Sequence, residues 1–105
     1  MDRSQLRTVE MLCYLILVAG TLGDHMSTVI ALYSPNIYET NQFTVSLMSR
    51  GLWLPFDFLL ITLGIAIPWL IIRIRKGAPF AGVLAYPLVL GLIRLGACVW
   101  NLSLI

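Results

Sequence analysis

Charge is scarce in this sequence. Only 11% of its 105 residues are Asp, Glu, Lys or Arg, against about 25% in an ordinary soluble domain, and that scarcity rules out a soluble globule. A net charge of +2, thinly spread, forms no basic stripe to neutralise phosphates, which argues against nucleic acid as a partner. Also missing are a glycine-rich phosphate loop, HExxH, CxxC and GxSxG, the short signatures of nucleotide, zinc and acyl-transfer chemistry. A chain without them is not expected to be an enzyme by itself. There is one histidine, and there are two cysteines.

What is present is apolar sequence, 59% of the whole. A helical span needs roughly 20 apolar residues, so a chain of this length holds about four at most. Three stretches qualify, about 11–33, 52–72 and 80–104, and the expected fold is a single all-α domain, residues 1–105, built as a membrane-embedded three-helix bundle. The first connection opens with the turn signal Ser34-Pro35-Asn36. It continues to Asn41, placed to cap a short interfacial helix that carries Phe43, Val45, Leu47 and Met48 and ends at Gly51. Pro55 falls in the first turn of the next span, where its missing N–H costs little. The second connection, Arg73 to Pro79, is short, so the second and third spans are expected to pack as an antiparallel hairpin.

Arg3, Arg7, Arg73, Arg75 and Lys76 fall at one end of the spans and only Arg50 at the other. Because cytoplasmic loops carry the basic excess, the expected topology in the cell membrane has the N-terminus inside and the C-terminus outside. Two arginines before an apolar core ending near Ala19-Gly20 also fit a cleaved signal peptide. The apolar character resumes beyond Asp24 to Tyr33, which favours a span. Cys13 and Cys98 lie about 3 Å and about 27 Å from the inner ends of their helices. They are too far apart to bridge and are read as small packing residues.

Four ionisable side chains lie within the apolar stretches: Asp24, His25, Asp57 and Arg94. Each costs roughly 2.5 to 3.5 kcal/mol on insertion, so such groups normally face the bundle interior with a partner or a task. Asp24, Asp57 and Arg94 fall about 20, 22 and 21 Å from the inner ends of their spans, in one layer. Helical spacing sets Asp24 among Gly20, Thr21, Ser27, Thr28 and Ala31, and sets Arg94 among Pro87, Gly91, Ala97, Cys98 and Asn101. Asp57 shares its face with Trp53, Gly64 and Pro68. These small-residue faces suit close helix approach.

Three readings of the layer stay open. Arg94 neutralises the two aspartates in a structural network that fixes register. Alternatively the cluster, with His25 beside it and Glu39 and Asn41 on the loop above, binds an ion, a proton or a polar ligand; or it meets the charges of a partner subunit. His25 is of a type that ligates haem or copper, but a lone imidazole fits a hydrogen-bonding role better. Asn101-Leu102-Ser103 is a glycosylation sequon placed too close to the bilayer to be used. Tyr33, Tyr38, Trp53 and Trp100 mark the outer boundary and Trp69 the inner one. Pro68 and Pro87 are expected to kink their spans.

The stretch Gly23-Asp24-His25-Met26-Ser27-Thr28, with Glu39-Thr40-Asn41 in the following loop, resembles a pattern of small prokaryotic three-helix membrane proteins. That pattern is an Asp, Ser/Thr-Thr one turn on, then Glu-x-Asn. Asp24, Ser27, Thr28, Glu39 and Asn41 match it, whereas Gln42 stands where a proline often follows the Asn. The length, the three spans and Gly51-Leu52-Trp53-Leu54-Pro55-Phe56-Asp57 look like the small additional subunit found with archaeal ammonia monooxygenase. That resemblance implies a non-catalytic subunit of a copper-dependent membrane oxidoreductase, with copper held by other chains.

The leading expectation is a structural or assembly subunit of a larger complex, whose partners are other integral membrane subunits and the lipid bilayer. The alternative is a haem- or quinone-associated anchor subunit of a respiratory complex, in which His25 is the discriminating residue. A small homo-oligomeric transporter is a third class, similar in length to small multidrug exporters. Those have four spans and a membrane glutamate in the first, whereas this chain has three and Asp24.

Overall fold

The computed structural model describes residues 2–34, 39, 42–75, 77 and 79–105. They form four helices, α1 (Arg3–Leu32), α2 (Gln42–Ser49), α3 (Trp53–Ile74) and α4 (Phe80–Ser103), of which α1, α3 and α4 are long and apolar enough to cross a membrane. The chain is thus an all-α membrane protein with the expected three spans and the short helix in the first loop.

Helix α1 begins eight residues before the apolar stretch that was expected to define it. Asp2 caps it by accepting from the Gln5 backbone N–H at 2.8 Å, and the Gln5 side chain accepts from the Asp2 N–H at 3.0 Å. This reciprocal capping box satisfies two otherwise orphaned donors and starts the helix in polar sequence. At 30 residues, α1 is about 45 Å long, well beyond a hydrocarbon core of about 30 Å. Asn41, expected to cap α2, lies outside the described residues. The far end of α2 is as expected: Gly51 takes φ +68°, the Leu52 N–H reaches the Leu47 carbonyl at 2.9 Å, and the Gly51 N–H reaches Met48 at 3.2 Å. This is a Schellman closure, which needs the left-handed conformation that glycine adopts freely. Phe43 then meets Phe56 edge-on, with centroids 5.3 Å apart, and lays α2 against α3.

Helix α3 packs on α4 across the short turn, as an antiparallel neighbour should. The larger interface, however, joins α1 and α4, which run parallel. Glycine explains why. A Cβ on Gly20 would strike the Gly91 carbonyl, and one on Gly91 would sit 2.7 Å from Ile16 C and Leu17 N, so the two backbones touch where both residues lack side chains. Leu17, fully buried, fills the space against α3, and its Cδ2 lies where a Cβ on Gly64 would go. Pro68 and Pro87 are also fully buried, inside helices that continue through them.

Polarity is reversed relative to a water-soluble bundle. The buried stripe of α1 runs Glu10, Cys13, Leu17, Gly20, Thr21, Ser27, Thr28 and Ala31, at the three- and four-residue spacing of one helix face. Met11, Leu15, Met26 and Ile30 of the same helix are exposed, as are Phe58, Leu70, Leu92 and Val99 on the other two. Small and polar side chains inside with large apolar ones outside is how helices associate when the solvent is lipid.

Candidate functional site

The polar residues gather near the Ser34 end of the bundle, where α1 finishes, α3 begins and α4 finishes. Each sits there because its helix turns a small-residue face inward at that depth. Arg94 of α4 lies between two carboxylates. Its Nε is 2.6 Å from Asp24 Oδ2 on α1, an ionic contact, because the N–H points off the hydrogen-bond line. Its second terminal nitrogen donates to both carboxylate oxygens of Asp57 on α3, at 3.2 Å each. Asp57 is 2% exposed, so nearly all of its charge is answered by protein groups.

The network extends in both directions. Toward α3, His25 Nδ1 is 2.7 Å from Asp57 Oδ2, and the imidazole stacks on Trp53 with centroids 3.7 Å apart at 27°. Toward α4, Asn101 Nδ2 reaches Asp24 Oδ1 at 3.2 Å, Ser27 Oγ at 3.2 Å and Thr28 Oγ1 at 2.8 Å. The two hydroxyls donate in turn to the Asp24 backbone carbonyl, at 3.1 and 2.7 Å. One unbroken chain of contacts thus runs Trp53, His25, Asp57, Arg94, Asp24, Asn101 and ties three helices together. In formal charge, one guanidinium faces two carboxylates, and the sum is zero when His25 is an imidazolium.

Beside this chain lies a cavity of about 250 Å³, bounded by Asp24, Asp57 and Arg94 below and by Glu39, Phe43 and Trp53 around it. It is large enough for a small polar ligand or a group of waters. Of the residues read from the sequence, Asp24, His25, Ser27, Thr28, Asp57 and Arg94 therefore come together, and Glu39 joins them at the cavity wall. Asn41 lies outside the described residues. Sequence reasoning set Trp53 on the Asp57 face and at the outer boundary, and Asn101 on the Arg94 face and in an unused sequon, but gave neither a place in the polar cluster. Asn101 shares the Arg94 face, and this was the available signal for it.

A second ionic cluster lies toward the Asp2 end and adds a fifth ionisable group, itself buried, to the four expected within the apolar stretches. Glu10, 4% exposed, accepts from Arg73 of α3 at 2.7 and 3.2 Å and from the Tyr14 hydroxyl at 2.6 Å. Arg73 also lies over the Trp69 ring, 4.6 Å from its centroid. Reading the span from Met11 left Glu10 outside it; the capping box at Asp2 and Gln5 was the missed signal.

Among the described residues, no group of three or more His, Cys, Asp and Glu is placed to hold a metal ion. Cys13 and Cys98 are both free thiols. No family model, curated protein or solved structure matches the chain.

Proposed function

We propose that the chain is a non-catalytic structural or assembly subunit of a larger membrane complex. One observation carries this reading. Every acidic or basic side chain within the apolar stretches is partnered inside the chain, while large apolar side chains on all three spans remain exposed. A chain arranged this way spends its charges on its own architecture and offers helix faces to lipid and to neighbouring subunits. The resemblance stated above supports the narrower proposal of the small additional subunit of an archaeal ammonia monooxygenase, with copper on other chains. The basic excess at the Asp2 end supports an N-terminus in the cytoplasm and a C-terminus outside.

Extraction in mild detergent, followed by identification of co-purifying membrane subunits, tests the proposal. The expected result is stoichiometric co-purification, with aggregation or degradation of the chain when it is expressed alone. A stable, monodisperse monomer without partners refutes it. One feature favours the haem-anchor alternative: Asp57 holds His25 Nδ1, which is how a ligating imidazole is oriented through its second nitrogen. A Soret band in the purified complex that disappears in His25→Ala would establish that alternative.

A further inference from the structure

At the Asp2 end, α1 and the last turn of α3 leave between them an open groove of about 990 Å³, closed at one side by Phe80. Its lining changes character along its length. Arg3 and Arg7 stand one turn apart on α1, on the same face. Met11, a further turn toward the bundle centre and about 6 Å along the axis, begins an apolar wall continued by Leu12, Ile72 and Phe80. Met11 and Leu12 are more than half exposed. Arg73 also borders the groove, but it is committed to Glu10, so these two charges cancel. Arg3 and Arg7 form no ion pair among the described residues and leave the groove with a surplus of two positive charges.

We propose that this groove binds one anionic phospholipid, with its phosphate between Arg3 and Arg7 and its hydrocarbon chains along Met11, Leu12, Ile72 and Phe80. Charge complementarity selects the headgroup. A guanidinium fork matches a phosphate in two parallel hydrogen bonds, and basic pockets between membrane helices at the headgroup level bind acidic lipids. The apolar wall selects a lipid over a free anion, because inorganic phosphate would gain nothing from Met11 to Phe80 and would leave that surface uncovered. The site lies at the opposite end from the Asp24–Arg94–Asp57 layer and does not depend on the function proposed for the chain.

Photo-crosslinking in the membrane tests the site on the full chain. Membranes carrying the protein are supplemented with photoreactive phosphatidylglycerol or phosphatidylcholine, and adducts are mapped by mass spectrometry. Phosphatidylglycerol adducts are expected at Met11, Leu12 and Phe80. At about five-fold per arginine, the double variant Arg3→Gln/Arg7→Gln should raise the half-saturating lipid fraction roughly thirty-fold. Arg3→Lys/Arg7→Lys should retain most of the labelling, and Arg50→Gln at the other end should leave it unchanged. Both substituted arginines are exposed and form no ion pair within 4 Å among the described residues, so the variants leave the bundle intact. Equal labelling by phosphatidylcholine, unchanged labelling in the Gln/Gln variant, or displacement by millimolar inorganic phosphate would each overturn the proposal.

Discussion

Replacing Arg94 with leucine removes the cation that bridges Asp24 and Asp57 and leaves two carboxylates facing each other in the bundle. The contacts at 2.6 and 3.2 Å correspond to gross attractions of about 6 and about 5 kcal/mol at an effective dielectric constant near 20. Desolvating the guanidinium offsets much of this, and breaking such a pair from one side typically costs roughly 3 to 5 kcal/mol. A protein with about 5 to 15 kcal/mol of stability loses a large fraction of it. Arg94→Leu should therefore lower the steady-state amount of protein in the membrane and its melting temperature in mild detergent. The triple variant Arg94→Leu/Asp24→Asn/Asp57→Asn should recover part of that loss, because a carboxamide oxygen at position 24 still accepts from Asn101 and one at position 57 still accepts from His25. Recovery of folding without activity in the assembled complex assigns the layer a functional role, and recovery of both leaves it structural. If Arg94→Leu is as stable as the parent, the ion-paired centre contributes nothing and the account of the layer is wrong.

Gly91→Ala should cost about 1 to 3 kcal/mol by overpacking, since its Cβ would sit 2.7 Å from Ile16 C and Leu17 N; thermal denaturation of the variant measures this, and an unchanged midpoint would contradict the close α1–α4 contact. Glu10→Gln and Arg73→Gln should show a coupling of roughly 0.5 to 3 kcal/mol in a double-mutant cycle, whereas strict additivity would mean the pair contributes only as separate side chains. For topology, a cysteine introduced at Ser34 should react with an impermeant reagent from outside and one at Gly77 only from inside, and the reverse pattern would invert the proposed orientation.

Much of the site was legible in the sequence because depth and helical face are both arithmetic. Asp24, Asp57 and Arg94 fall at one height by counting residues, and their spacing to Gly20, Gly64 and Gly91 identifies which side of each helix another can approach. Gly51 was legible for a different reason, since its left-handed turn is a local requirement of the chain. Three features needed more than local rules. Hydropathy places the start of a span where apolar residues begin, whereas α1 starts where Asp2 and Gln5 cap it, and the difference concealed Glu10. Loop length favours neighbours in sequence, so the dominance of α1 on α4 could not be read from a short α3–α4 turn. The stacking of His25 on Trp53 depends on how two helices rotate about their axes once the glycines have set their separation. Composition says little about such rotation.

Glu10, which is buried, and Asp24, which is part-buried, both find their bases on helices made later. Glu10 waits for Arg73, 63 positions onward, and Asp24 waits for Arg94, on α4. During synthesis the first helix therefore enters the membrane with two carboxylates that lack their bases, at roughly 2.5 to 3.5 kcal/mol each where they reach hydrocarbon depth. The third and fourth helices do not merely join a settled bundle: they discharge the first one. A chain interrupted before Arg94 keeps Asp24 without its guanidinium partner. Insertion and assembly are thus tied together by electrostatics, and α4 is the span that lets the first remain in lipid.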